Sequence, residues 1–522
     1  MHNRSEDNKR MDILRTPSGG FFSRGIVQKK LEVLEYYAVH GLPRHLWFLS
    51  ECLGDKDARV RDKTAEVMIV LFGGITSHEQ LYAALGHLRI DKHLLSRCKV
   101  DFSEDAGFQL MAMASFNRDG YVREHAVDLL AQSGRPAAIR YLLFRAADWV
   151  KPVREKAIAA IHESLKDTWY HHWLQDLPRV EWLLTVQRVD LSDLHRAIVR
   201  FLLTRPLDAA TPRGLSANEK ARRLLFRLQL SAHGLTEPLL QLLLADSNFL
   251  IRLEILPHLR SLPAPEQEKL LRKLLHDASA RVRMAALFAC KSHLDPLWTD
   301  IEPLLYDPAA SVRDLVRRYA AGRGLLVQSL YRALWQDNPV TAGLLMGLGE
   351  TGTAEDIPAI EAHLTSTEID IPPAALFALY RLDKDLAPRY ALIMVGSPSR
   401  RMRLRCMAIL AKGCDEAMLA RLRMLYVLGN LQQRKTVIQL FGALSGWGPL
   451  ADLLLAVGDP EAQVRALAWQ QLVNWHRRSV RLFTTPAQPV ADRIKQAYAT
   501  IEAGEMIPGE RMELWGALKR IF

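Results

Sequence analysis

Cysteine is scarce: five in 522 residues, at Cys52, Cys98, Cys290, Cys406 and Cys414, with no C-x-x-C pair. That leaves no disulfide framework and no cysteine-rich metal site, and it sets the expectation of a reducing, cytoplasmic setting. No stretch reaches the roughly 18 apolar residues that a membrane span needs, so no membrane partner is expected. The opening MHNRSEDNKRMD is charged and has no apolar core, so no signal peptide is expected either. No G-x-S-x-G, P-loop or H-E-x-x-H is written, and nothing in the chain points to catalysis or to a cofactor. His172 and Asp176, four apart beside His171, can share one helix face, but a metal normally takes three protein ligands, so none is expected. The glycines of MGLGETG (346 to 352) follow an apolar helical pattern and read as a C-terminal turn.

What the chain does have is one sentence written many times. In HDASARVRMAALFACK (276 to 291), Asp277 stands in a polar turn and Arg283 follows six residues later, at the head of a small-residue helix. The same six-residue step joins Asp55 to Arg61, Asn117 to Arg123, Asp148 to Arg154, Asp190 to Arg196, Asp246 to Arg252, Asp307 to Arg313, Ser397 to Arg403 and Asp459 to Arg465. In most of these the Arg follows a Val. Successive marked arginines lie 62, 31, 42, 56, 31, 30, 90 and 62 residues apart, so all but two intervals are multiples of 30 or 31. A fixed period of that size marks stacked supersecondary units, because one helical pair cannot bury its apolar face alone. Filling the gaps gives about fourteen or fifteen units.

The D-x5-R spacing, the Val before the Arg, and linking pieces such as LSGWGPLADLLLAVGDP (444 to 460) and LGETGTAEDIPAIEAHL (348 to 364) resemble the short form of the HEAT repeat, the type found in phycobilisome lyases. The resemblance covers most of residues 55 to 475. It implies an all-α, right-handed α-solenoid, with the Asp and Arg residues forming a ladder that braces neighbouring repeats. Asp55, Arg61, Arg123, Arg154, Asp277, Arg283, Asp307, Arg313, Asp459 and Arg465 are then structural. The expected layout is a polar arm over 1–22, the solenoid over 23–480, and a helical cap over 481–522. The arm is expected to be disordered.

Within the array, residues 165–216 break the period and carry Trp169, His171, His172 and Trp173 ahead of a turn-rich loop. Departures from a repeat are where local function is added, so this insertion is a candidate specificity element, against the plainer reading of a packed kink. The second helix of each unit is expected to line a concave groove, with positions one, four, five and eight after the ladder Arg projecting into it. Early units offer Asp62, Glu66, Glu124, Asp128 and Glu155 there. Later ones offer Arg223, Phe226, Arg227, Arg260, Phe288, Lys291, Arg317, Arg318 and Trp469. The net charge of +11 and this basic, aromatic wall suit either an acidic peptide or a polyphosphate backbone. The expectation is a non-enzymatic scaffold holding a protein partner. The alternative is a nucleic-acid-binding protein, a distant relative of HEAT-like DNA glycosylases, and only weak, salt-sensitive nucleic-acid binding is expected.

Overall fold

The computed structural model describes residues 2–18, 23–75, 77–205, 207–208, 210–292, 294–444, 446–479, 481–504 and 511–519. Among these the regular elements are α-helices and short 3-10 turns, with no strand. The chain forms two compact units, Met1–Ser261 and Leu262–Phe522. Each is a run of helical pairs. In the second unit, Ala342–Thr351 packs on Ile371–Leu382, which packs on Arg400–Leu410, while Leu431–Ala443 packs on Ala462–Ser479.

The six-residue step explains how a pair is built. Asp277 accepts a hydrogen bond from the Ser279 N–H at 2.7 Å, a turn that ends one helix and starts Ala280–Ala289. Arg283, in the first turn of that helix, reaches back and donates to the Asp277 carbonyl at 2.7 Å. Arg61, Arg123, Arg154, Arg252, Arg313, Arg403 and Arg465 do the same to the carbonyl six residues before them. In several units the far edge of the guanidinium meets the next repeat. Arg283 Nε and Nη2 each donate to the Asp307 carboxylate at 2.7 Å, Arg123 holds Asp148 at 2.9 Å, and Arg434 pairs with Asp459. Arg123 and Asp148 are wholly buried, and Arg145 shares that carboxylate at 2.8 Å.

Two rungs differ from the sequence pattern. Asp190 makes its turn, accepting from the Ser192 N–H at 2.9 Å, but Arg196 is exposed and pairs with Asp193 instead. The ladder arginine after the insertion is Arg222, which donates to the Ser216 carbonyl at 3.2 Å and meets Asp246 at 2.9 Å. A serine in the Asp place hides this unit. Arg313 also skips the next turn and holds Glu350 at 2.6 Å.

The amino-terminal residues are not a loose arm. His2–Arg15 is a helix whose Leu14 is buried, tied down by Arg15 to Glu51 at 3.0 Å and by Ser18 to Asp55 at 2.8 Å. One apolar ridge, Met11, Ile13 and Leu14, packs on the core. The breaker TPSGG lies partly outside the described residues. At the other end Gln488–Ala503 packs on Leu450–Ala456, and Trp515 stands edge-on to Tyr498 and Trp469 at 4.8 and 5.9 Å.

The glycines of 346 to 352 are a packing device rather than a terminal turn. Gly343, Gly347 and Gly349 lie inside the Ala342–Thr351 helix, and only Gly352 caps it. A Cβ at Gly343 would collide with the Tyr306 carbonyl, one at Gly347 with the Tyr331 ring, and one at Gly349 with the Ala378 backbone. The G-x-G-x-x-G spacing at 347 to 352 therefore sits at a helix C-terminus, where the dipole disfavours a phosphate.

Candidate interaction groove

The positions expected to line a groove sort by angle. At 100° per residue, places one, five and eight after the ladder arginine lie about 80° to 140° around the helix from it, and place four lies about 40° away. The arginine faces the neighbouring repeat, so place four faces it too. Accordingly Phe226 (four after Arg222) is 1% exposed and Trp469 (four after Arg465) is 5% exposed. Both are core residues, a correction to their groove assignment. Arg317, also at place four, is largely buried and shares Glu350 with Arg313. Phe288 at place five is 61% exposed, and Arg260 and Lys291 at place eight are exposed.

The basic wall is mostly neutralised from within. Arg223 meets Glu254 at 2.6 Å, with Arg227 3.9 Å from the same residue, and Arg318 meets Asp314 at 2.7 Å. The acidic early face is similarly bridged, since Lys156 sits 2.9 Å from Glu124 and 2.7 Å from Asp128.

The insertion is packed, not projecting. Trp173 is fully buried and donates to the Ser164 carbonyl at 3.1 Å; Trp182 stands 5.4 Å from Phe144; Trp169 is half-buried under Lys166. His171 and His172 are exposed. Asp176 is buried against Arg179, and burial pushes its carboxyl up. No cluster of three metal-ligating side chains occurs among the described residues.

A groove opens instead in the second unit, across three successive second helices. Its volume is about 550 Å³, with Ala342 and Met346 from one helix, Pro373 and Ala374 from the next, and Leu404, Arg405 and Ala408 from Arg400–Leu410. The floor is low because the helices meet through glycine and alanine and because Ala342, Ala374 and Ala408 carry little side chain. Leu404 is 47% exposed. Beside it the Arg405 guanidinium lies over the Phe377 ring, 4.6 Å from its centre. It is half-buried, no carboxylate pairs with it among the described residues, and burial draws its pKa down. Arg401 is paired with Asp370 at the rim.

No family model and no curated protein matches the chain. Among solved structures it is similar to Kap121p, with a TM-score of 0.27, 12% identity, and 90% of this chain on 57% of that one. Kap121p bound to RanGTP gives 0.28 and 12% over the same shares, and a Kap95p structure gives 0.28 and 11%, with 97% of this chain on 65% of that one. The chain thus spans less than two thirds of each of these proteins.

Leu404 and Ala408 are places one and five after the ladder arginine Arg403, so the angular rule finds them. A search guided by charge and aromatic rings passes over them because it gives weight to large residues, whereas this groove exists because small ones leave space. Arg405 is legible as one of four arginines in RRMRLR (400 to 405), but its lack of a carboxylate is a tertiary fact.

Proposed function

We propose that the chain is a non-enzymatic scaffold that binds a protein partner, and that the groove beside Arg400–Leu410 receives a partner segment carrying an apolar side chain next to a carboxylate. The observation that carries this reading is Arg405: a half-buried guanidinium on an aromatic ring, with no carboxylate partner among the described residues, beside exposed Leu404. A charge already stripped of part of its water, next to open apolar surface, favours a charge-assisted bond to an incoming carboxylate flanked by an apolar anchor. The nucleic-acid reading draws little support, since Arg223, Arg227, Arg317 and Arg318 are engaged by Glu254, Asp314 and Glu350. A reducing, cytoplasmic setting belongs to the same proposal. It is supported by five free cysteines, four of them buried, with burial raising Cys98, Cys290 and Cys406 to about 12. Among the described residues no helix is long and apolar enough to cross a membrane.

The test is affinity capture with the wild-type chain and a Leu404→Glu/Arg405→Glu variant, each with and without nuclease. A protein retained by the wild type, lost in the variant and indifferent to nuclease supports the proposal. Capture that disappears with nuclease, or that survives the double substitution, contradicts it.

A further inference from the structure

The ladder has a rung whose charge is reversed. In each regular unit the turn residue that supplies the carboxylate stands two before the N-cap of the second helix: Asp55 before Asp57, Asp148 before Val150, Asp246 before Asn248, Asp277 before Ser279 and Asp307 before Ala309. The unit after Asp55 has its second helix at Lys92–Asp101, with Asp91 as N-cap. Counting back two places gives Arg89, where an acid belongs. Four after that N-cap, where the ladder arginine belongs, is buried Leu95. The place in this unit that corresponds to the carboxylate of a regular rung, the one that Arg61 of the preceding unit would use, is therefore an arginine.

The consequence is visible at Arg61. Its Nη1 is engaged by the Asp55 and Lys56 carbonyls at 2.9 and 3.2 Å, while its Nε is covered and has no partner among the described residues, so that a carboxylate in the cavity reaches it by a turn of the guanidinium. In Arg123, Arg283 and Arg313 that same Nε holds a carboxylate at 2.9, 2.7 and 3.1 Å. Arg61 and Arg89 line one polar cavity of about 780 Å³, together with Lys56, His93 and Arg97. Four carboxylates also line it, and each is already engaged. Glu51 meets Arg15 at 3.0 Å, Asp55 meets Lys30 at 2.6 Å, Asp91 caps its helix through the Leu94 N–H at 2.8 Å, and Asp101 meets Arg97 at 2.9 Å. Among the described residues the Arg89 guanidinium meets only Glu51, at 3.9 Å.

We propose that this cavity is a binding site for an acidic segment of a partner polypeptide, whose Asp or Glu side chain supplies the missing rung between Arg61 and Arg89. The fold already contains this arrangement among its own residues: Asp148 lies between Arg123 and Arg145, and Glu350 lies between Arg313 and Arg317. A carboxylate is the partner that such a guanidinium edge fits in both distance and shape. The cavity is many times larger than one carboxylate group, which favours a peptide segment over a lone ion. The peptide source rests on the protein-partner reading above; the defective rung does not.

Arg89→Asp tests both halves, because a carboxylate at that position restores the pattern and fills the site from within. Arg89→Ala is the reference that removes the charge without supplying a carboxylate. The rung completed between Arg61 and the introduced carboxylate should raise the thermal midpoint of Arg89→Asp above that of Arg89→Ala. A fluorescein-labelled, capped octapeptide of alternating Glu and Ala should bind the wild type near physiological salt, followed by anisotropy, at least tenfold more weakly to Arg89→Ala, and not measurably to Arg89→Asp. Its Gln counterpart should bind none of them. No stabilisation of Arg89→Asp over Arg89→Ala overturns the rung itself. Equal peptide binding by wild type and Arg89→Asp, no binding by the wild type, or displacement of the peptide by equimolar inorganic phosphate overturns the acidic-segment site. None of these readouts involves Leu404 or Arg405, so a failure here is separable from a failure of the scaffold proposal.

Discussion

Arg283 and Asp307 join two repeats through a pair of parallel hydrogen bonds, each 2.7 Å long, while the other end of the same guanidinium clamps the Asp277 carbonyl. One side chain thus closes its own turn and fastens the next. Replacing Arg283 with Ala leaves the nearly buried Asp307 carboxylate without its partner and should destabilise the fold by roughly 3 kcal/mol. Lys, a point donor without the planar fork, should recover only part of that loss. Urea unfolding of the three proteins checks the order.

The deepest rung should be the most sensitive. Asp148, wholly buried, is shared by Arg123 and Arg145. Asp148→Ala strands two guanidiniums in the core and should cost roughly 3–5 kcal/mol, read as a lower urea midpoint.

Glu350 gives the ladder a pH signature. Burial works against its charge, but hydrogen bonds from Arg313 and Arg317 outweigh that and hold its pKa below the usual glutamate value of 4.5. Because the folded pKa is the lower one, the stabilisation is fully present above pH 4.5 and fades as pH falls through the folded value. Glu350→Gln should therefore be less stable than wild type at pH 7, with the difference narrowing in acid below 4.5. Urea midpoints measured at pH 7 and pH 3.5 test this.

Gly349→Ala should separate two helices that rely on close backbone approach. The added methyl meets the Ala378 Cα and Cβ, and overpacking of this kind costs about 1–3 kcal/mol. Ala at Gly134, which has open space around it but a φ of 66°, should also destabilise, through backbone strain alone and by less.

The repeat and its ladder were legible because both are local. Asp, the turn and Arg lie within seven residues, and the 30 to 31 period repeats them. What the sequence concealed was whatever depends on the neighbouring repeat. Phe226 and Trp469 share their helices with residues that do face water, and only the packing of the next helix buries them. The charge of Arg317 is plain in the sequence, yet its use is fixed by Glu350, 33 residues further on. The Arg405 groove and the Arg89 substitution are both departures visible only against an established register.

Nucleic-acid binding should be weak. Reversing Arg227 and Arg318, which are exposed and whose loss leaves the buried rungs intact, should change DNA or RNA affinity little near physiological salt. Submicromolar binding that collapses in the double reversal to Glu would require a phosphate-facing role for this wall.

The central claim, a partner polypeptide in the groove, is tested most directly by a photo-crosslinking amino acid placed at Leu404, with exposed Val70 of the first unit as the control position. The account predicts an adduct at 404 that protease removes and nuclease does not, with none at 70. An adduct at 404 that nuclease removes, or equal labelling at both positions, would contradict it.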